Sequence, residues 1–161
     1  MTLDEALLSK LRDWRPDGPG PHYFHTELPG GVACALTADR GDALSCQLTT
    51  AEVRSGPAKP CTAAELTQRA VRVAQRVTGL LEPLRVYEVD AARSEALLRS
   101  QTPAIRGDQV VYYELALHGL HAATLRRYQA PKAGGSSREA VPFVLTHEAV
   151  VKLVADVTAE E

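Results

Sequence analysis

The sequence predicts an α+β domain in which antiparallel strands are grouped between single helices. Three observations predict it. Apolar residues recur at helical spacing in three separated segments, at the start, in the middle and at the end of the chain. Between them lie runs in which apolar and polar residues alternate, the period of a half-buried strand. The resulting order is one helix, three strands, one long helix, several strands and one helix. Runs of strands separated by single helices imply antiparallel pairing in layers, not a doubly wound parallel sheet. Residues 1–161 read as one such domain, and 161 residues can bury a sizeable core without disulfides or metal.

The first helix opens on Thr2 and Glu5, which form a capping box, and carries Leu3, Leu7, Leu11 and Trp14 on one face. Pro16, Gly18, Pro19, Gly20 and Pro21 end it. Residues 22–50 read as three short strands. Pairing Phe24 with Leu36 and Leu28 with Val32 across Pro29-Gly30-Gly31 keeps all four apolar residues on one face. A three-residue loop at Asp39-Arg40-Gly41 extends that face by pairing Val32 with Leu48, Cys34 with Cys46 and Leu36 with Leu44. The expected inner face is therefore Phe24, Leu28, Val32, Cys34, Leu36, Leu44, Cys46 and Leu48. The opposite face carries Tyr23, His25, Glu27, Ala33, Ala35, Thr37, Ser45, Gln47 and Thr49. A solvated antiparallel face usually shows long charged side chains, whereas small ones dominate here. Two explanations stand: another piece of the chain covers this face, or it is a flat docking surface.

Thr62 and Glu65 form a second capping box, with Cys61 positioned to staple onto Leu66. Leu66, Ala70, Val73, Val77, Leu80 and Leu81 give this helix its apolar face, and Pro83 stops it. Arg69, Arg72 and Arg76 run along another side, either as a solvated stripe or as a contact for an anionic partner. Leu84–Asp90 reads as a strand. Ser94–Ser100 has helical propensity, yet with a turn at Ala91–Arg93 it completes a hairpin. The sequence favours the hairpin while leaving helix or strand open. Val110–Leu117 is a clear strand, and Gly119 marks the turn into Ala122–Ala130. Pro131–Ser137 reads as a flexible tip. A last strand runs to Leu145; Pro142 cannot donate a ladder hydrogen bond, which places that strand at an edge or gives it a bulge. Thr146 caps the final helix, with Leu145 stapled to Val150 and a stripe of Val150, Leu153, Val154 and Val157.

Composition narrows the function classes. The chain is 45% hydrophobic and 24% charged, with 18 Lys and Arg against 20 Asp and Glu, a net charge of −2. A nucleic-acid-binding domain normally carries a basic excess, so no nucleic-acid partner is expected. No apolar run approaches the roughly 18 residues of a membrane span, so no membrane partner is expected either. The start, Met1-Thr2-Leu3-Asp4-Glu5, has acids where a signal peptide has positive charge, and three cysteines without such a signal read as reduced cytoplasmic thiols.

The sequence contains none of the glycine-rich phosphate loops and no nucleophile elbow. His147-Glu148 is half of a zinc-binding helix motif, but Val151 stands where the second histidine would be. His22 and His25 would point to opposite faces of a strand. His118 and His121 bracket a turn, where both rings converge at the tip; two imidazoles fall short of a structural metal site, so they are weak metal candidates and no cofactor is expected. If Cys34 faces Cys46 across the hairpin, their Cβ atoms lie about 4.5–5.5 Å apart and the thiols form a redox or soft-metal pair, or simply two small core hydrophobes. His25 with Glu27, and Tyr112 with Glu114, share faces as loose acid–base sets without a recognisable nucleophile. Arg126, Arg127, Lys132 and Arg138 make the densest basic cluster.

Two resemblances add to this reading. The stretches Val77-Thr78-Gly79-Leu80-Leu81-Glu82-Pro83-Leu84, Ala96-Leu97-Leu98-Arg99-Ser100, Tyr112-Tyr113-Glu114, Leu125-Arg126-Arg127-Tyr128-Gln129 and Leu145-Thr146-His147-Glu148 look like a family of uncharacterised bacterial proteins of similar length. That family brings no assigned activity. The element order is similar to the class I type III secretion chaperone fold, which implies a small cytosolic homodimer that wraps the unfolded segment of a client. The leading expectation is a non-enzymatic binding or chaperone-like module, a homodimer or the receptor of a protein partner, docking through Tyr23, His25, Glu27, Ala33, Ala35 and Thr37. The alternatives are a metal-dependent or thiol-based enzyme using His118 and His121 or Cys34 and Cys46, and a structural subunit of a larger assembly.

Overall fold

The structure, a computed structural model, describes residues 1–134 and 137–159. The elements follow in the order α1 (Leu3–Asp13), β1 (His22–Leu28), β2 (Val32–Gly41), β3 (Ser45–Ser55), α2 (Ala63–Arg76), β4 (Leu84–Asp90), β5 (Glu95–Ser100), β6 (Ala104–Arg106), β7 (Gln109–His118), β8 (Ala122–Pro131), β9 (Glu139–Val141), β10 (Phe143–Thr146) and α3 (His147–Thr158). The fold is mixed α+β with an antiparallel sheet, in the predicted order. None of these helices is long and apolar enough to cross a membrane.

The sheet runs β1-β2-β3-β8-β7-β5-β4. Two shorter pieces complete it. β6 continues the line of β5 along β7 after a break at Gln101–Pro103. β9 and β10 fill the wedge where β3 and β8 part: β9 pairs with residues 127–129 of β8, and β10 pairs with residues 45–48 of β3. Pro142 sits between them, where one strand hands over to the other. Of the two outcomes expected for this strand, an edge position or an irregularity at the proline, the structure shows the irregularity. Proline is tolerated here because the ladder is interrupted at that residue, not because the strand is peripheral.

All three helices join one hydrophobic cluster with the inner-face residues of the strands. Leu7 and Leu11 of α1 are fully buried, and Trp14 beyond its end stacks on Phe24 with ring centroids 5.2 Å apart. Both predicted capping boxes form. α2 ends at Arg76, short of the expected stop at Pro83, and Val77 closes it by donating to the Val73 carbonyl. Leu81 lies beyond it and is exposed. Arg69 departs from the expected solvated stripe: it is only 6% exposed, and its Nη1 donates to the Gly119 and Ala122 carbonyls. α3 buries Val150, Leu153, Val154 and Val157 as its spacing predicts. The 84–100 segment is a hairpin, with Ser94 at φ 53 in its turn. Of the tip expected at Pro131–Ser137, residues Gly135 and Ser136 lie outside the described residues.

The β1–β2 register is the predicted one, with Phe24 opposite Leu36 and Leu28 opposite Val32. The β2–β3 register is not. The turn lies three residues later, at Asp42–Leu44, because the Asp42 carboxylate accepts from the amides of both Leu44 (2.8 Å) and Ser45 (2.9 Å). That side-chain capping of a turn by aspartate outweighs the glycine at 41 as a turn signal. Cys34 is then opposite Val53, Leu36 opposite Ala51, and Cys46 opposite Gly41. Register shifts around Ala38 keep Cys46 and Leu48 on the inner face and bring Ala51 and Val53 onto it as well. Leu44, expected inside, is 76% exposed in the turn.

Candidate functional site

Because every helix lies on the inner face, the other face of the sheet is built from strand residues alone. Strand alternation selects them, and the registers line them up in two rows across the sheet. One row runs His25, Ala35, Glu52, Thr124, Ala116 and Leu97; the next runs Glu27, Ala33, Arg54, Ala122, His118 and Glu95. Short side chains on β2 and on β8 thus alternate with long polar ones on β1 and β3 and with His118 on β7. The result is a groove of about 450 Å³, floored by Ala33, Ala35, Ala122 and Thr124 and walled by His25, Glu27, Glu52, Arg54 and His118.

Of the expected docking residues, His25, Glu27, Ala33 and Ala35 line this groove. Tyr23 and Thr37 extend the same face, paired with each other one step along the strands, and Tyr23 is 74% exposed. His25 Nε2 stands 3.9 Å from Glu27 Oε1, both side chains well exposed. Ala33, Ala35 and Thr37 are half-buried, so the face is recessed rather than covered over β1 and β2.

The opposite end of this face is covered. Arg138 reaches back across β7 and β8, donating to Glu114 through both terminal nitrogens (2.7 and 3.3 Å) and to the Tyr112 hydroxyl (3.3 Å), with its guanidinium 3.7 Å from the centre of the Tyr128 ring. Arg99 completes the set, 2.9 Å from Glu114 and 3.8 Å above the Tyr87 ring. Burial alone raises the Glu114 pKa; the hydrogen bonds and charges of Arg138 and Arg99 outweigh it and leave the carboxyl below its ordinary range. Sequence pairing of Tyr112 with Glu114 on one face was the signal for this cluster, but nothing in the sequence links it to Arg99 and Arg138, which lie 15 and 24 residues away.

His118 and His121 do border one shallow depression, of about 360 Å³, together with Glu95, Lys59 and Arg93. His118 Nε2 is 3.3 Å from Thr124 Oγ1, and its Nδ1 is 3.6 Å from Glu95 Oε1. The His121 ring lies against Gly119, whose positive φ (57°) shapes the turn and whose missing Cβ leaves the ring its space. Its Nδ1 is buried without a hydrogen-bond partner, and burial, then Arg54, Arg69 and His118, lower its pKa. Among the described residues no three His, Cys, Asp or Glu side chains converge as ligands, and the cations at the rim oppose a metal ion. Thr124 Oγ1 lies within hydrogen-bond distance of His118, whereas Glu95 stands beyond it and contributes through charge. However, the Thr124 hydroxyl stands in mid-strand, where the backbone amides that would stabilise an oxyanion are held in the sheet.

The expected cross-strand thiol pair is corrected. Cys34 and Cys46 share the inner face but sit opposite Val53 and Gly41. Burial, with a smaller contribution from Cys46, pushes the Cys34 thiol up to about 12, and burial with Asp42 pushes Cys46 to about 11. Both are protonated at neutral pH and unreactive as nucleophiles. No protein-family model, curated protein or solved structure matches this chain.

Proposed function

We propose that the chain is a non-enzymatic, chaperone-like binding module that docks a polypeptide on the open face of its sheet, a second copy of itself being the first partner to test. One observation carries this reading: the helices occupy one side of the sheet, and the other side forms an open groove with an alanine floor and alternating charges. A floor without long side chains lets a partner's backbone approach closely, and Glu27, Glu52 and Arg54 on the walls supply the polar contacts that fix its position. The order of elements, similar to that of the class I type III secretion chaperones, supports the same reading, and a cytoplasmic location belongs to the proposal. The buried, protonated thiols argue against a cysteine enzyme.

Sedimentation equilibrium and native mass spectrometry of the wild type and of Ala35→Arg test it. The expected result is a wild-type dimer, or a wild-type complex with a polypeptide, that Ala35→Arg dissociates. If Ala35→Arg changes neither assembly nor partner binding, the open face is not the docking site.

A second reading rests on the Thr124–His118–Glu95 contacts, which would serve an enzyme that uses His118 as a general base. A hydrolytic activity lost on His118→Ala would put that reading first.

A further inference from the structure

β1 is one end of the sheet and β4 the other. Among the described residues, only β2 bonds the backbone of β1, so the outward amides and carbonyls of that strand have no backbone partner. The two edges are built differently. β4 carries Arg85, Glu88 and Asp90, and a register shift between Val86 and Glu88 breaks its ladder. Charges and bulges are the ordinary devices that stop an edge from pairing with another chain. β1 contains no Lys, Arg or Pro, and its ladder runs from His22 to Leu28 without a shift.

The residues along this unbroken edge are complementary to themselves. Two copies of β1 laid antiparallel about Thr26 set Phe24 opposite Leu28, His25 opposite Glu27, and Thr26 opposite its own copy. In each copy Phe24, Thr26 and Leu28 are buried on the inner face, and His25 and Glu27 are exposed on the outer one. Apolar therefore meets apolar inside, and imidazole meets carboxylate twice outside. Cross-strand pairs of these kinds each favour pairing. A centre one residue earlier sets the two His25 rings against each other and Phe24 against Thr26. A centre one residue later opposes the two Glu27 carboxylates. A centre between residues sets inner-face side chains against outer-face ones. Within one copy His25 Nε2 is 3.9 Å from Glu27 Oε1, too far for a hydrogen bond, which leaves both side chains available. Tyr23, 74% exposed, falls opposite Pro29 in the same register, an aromatic ring against an apolar one.

We propose that two copies of this chain join edge to edge through β1, in antiparallel register about Thr26, to form one continuous sheet. The two-fold axis passes through Thr26 perpendicular to the sheet, so the helices of both copies stay on one side. The open faces of the two copies then adjoin across β1. This pairing is separate from docking on the face and leaves that face uncovered.

Sedimentation equilibrium over a range of concentrations tests this with the wild type, His25→Glu, Glu27→Lys and an equimolar mixture of the two variants. The wild type is expected to be a reversible dimer. His25→Glu opposes carboxylates at both outer positions, and Glu27→Lys removes the attraction there. Each is expected to raise the dissociation constant about tenfold. The mixture restores the dimer, because a heterodimer of the two variants again has opposite charges across each position. Hydrogen exchange of the β1 amides slows with concentration in the wild type and not in either variant. Both substituted side chains are exposed, and circular dichroism confirms that the variants keep their fold. A wild type that stays monomeric overturns the proposal, as do variants that dimerise like the wild type, or a mixture as dissociated as its components. A dimer that Ala35→Arg dissociates and the β1 variants leave intact overturns the edge pairing and keeps docking on the face. The reverse keeps the edge pairing and assigns the face to another polypeptide.

Discussion

Two carboxylate–arginine clusters, one on each face of the same strands, use the same residue types to different ends. On the inner face Glu82 and Arg127 form a two-point pair (3.0 and 3.3 Å), with Ser100 Oγ donating to the same carboxylate and the Arg127 guanidinium 4.1 Å from the Tyr113 ring centre. On the outer face Glu114 is shared by Arg99 and Arg138 among Tyr87, Tyr112 and Tyr128. Neighbouring residues are divided between them: Tyr112 and Arg126 face out, Tyr113 and Arg127 face in. The inner pair is enclosed and joins the segment after α2 to β8 and β5, so it closes the core. The outer set remains partly open, with the Arg138 side chain 36% exposed, and it holds that side chain across one end of the groove face. Equal chemistry therefore acts as a fastener of the core on one side and as a boundary of the candidate site on the other.

The largest expected loss is at Arg127. Arg127→Met leaves Glu82 largely buried beside a neutral side chain, and a broken buried pair costs about 3–5 kcal/mol. Urea denaturation reads this as a lowered midpoint. Adding Glu82→Gln to the same chain is expected to recover part of the loss, because no buried charge is then left alone. A single-variant loss under about 1 kcal/mol would mean that water reaches Glu82 and that the two clusters do not differ in enclosure.

Glu114→Gln sharpens the outer half. It removes the anion between two guanidiniums and is expected to cost about 1.5–3 kcal/mol at neutral pH, the range for hydrogen bonds to charged groups. The pH dependence separates charge from packing. The folded carboxyl titrates below its ordinary value, so its contribution is complete above the unfolded carboxylate range and is lost as pH falls through the folded value. Stability curves of wild type and Glu114→Gln should therefore converge in acid. A constant gap at all pH values would assign the loss to packing.

What the sequence reveals here depends on how locally each feature is determined. The helices, the β1–β2 register and the identity of the outer-face residues Tyr23, His25, Glu27, Ala33, Ala35 and Thr37 follow from periodicity and from a turn set by adjacent glycines. The β2–β3 register escapes the same reasoning. Asp39-Arg40-Gly41 and Asp42-Ala43-Leu44 both suit a tight loop, and an apolar face can be drawn for either. The choice is made by the Asp42 carboxylate and by compensating register shifts around Ala38, which alternation cannot foresee. The groove adds Glu52, Arg54, His118, Ala122 and Thr124 to the expected docking residues. These come from β3, β8 and β7, which become neighbours only once the chain has returned across the sheet, so their contribution is a property of topology.

The fold opposes the protonation of His147 on the helix-covered side, as it does that of His121. His147 is buried at the start of α3, its Nε2 has no hydrogen-bond partner, and burial, then Arg15, lower its pKa despite Asp42. The unfolded chain binds this proton more readily than the folded one. The neutral ring's stability is thus complete above about pH 6.5, the ordinary histidine value, and is lost as pH falls from there through the folded value. Each unit of depression corresponds to about 1.4 kcal/mol. His147→Gln should flatten the fall in urea midpoint between neutral pH and about pH 5, a range that lies above the carboxylate titration of Glu114. An unchanged slope would assign the acid sensitivity to other groups.

The smallest expected change in stability, and the sharpest contrast between the two faces, is at Ala35. Its neighbours across the strands are His25 and Glu52, and it floors the groove where no helix lies. A guanidinium introduced there by Ala35→Arg has an open path to solvent and a carboxylate directly opposite. Ala35 is half-buried but open to one side, and surface substitutions away from the core usually stay within about 0.5 kcal/mol. Docking is affected far more, because the long side chain occupies the volume that a partner's backbone needs. An unchanged urea midpoint together with lost assembly would separate the face that holds the fold together from the face that meets a partner. A loss of stability above about 2 kcal/mol would show that Ala35 is packed within the fold, and the open face would then belong to the core after all.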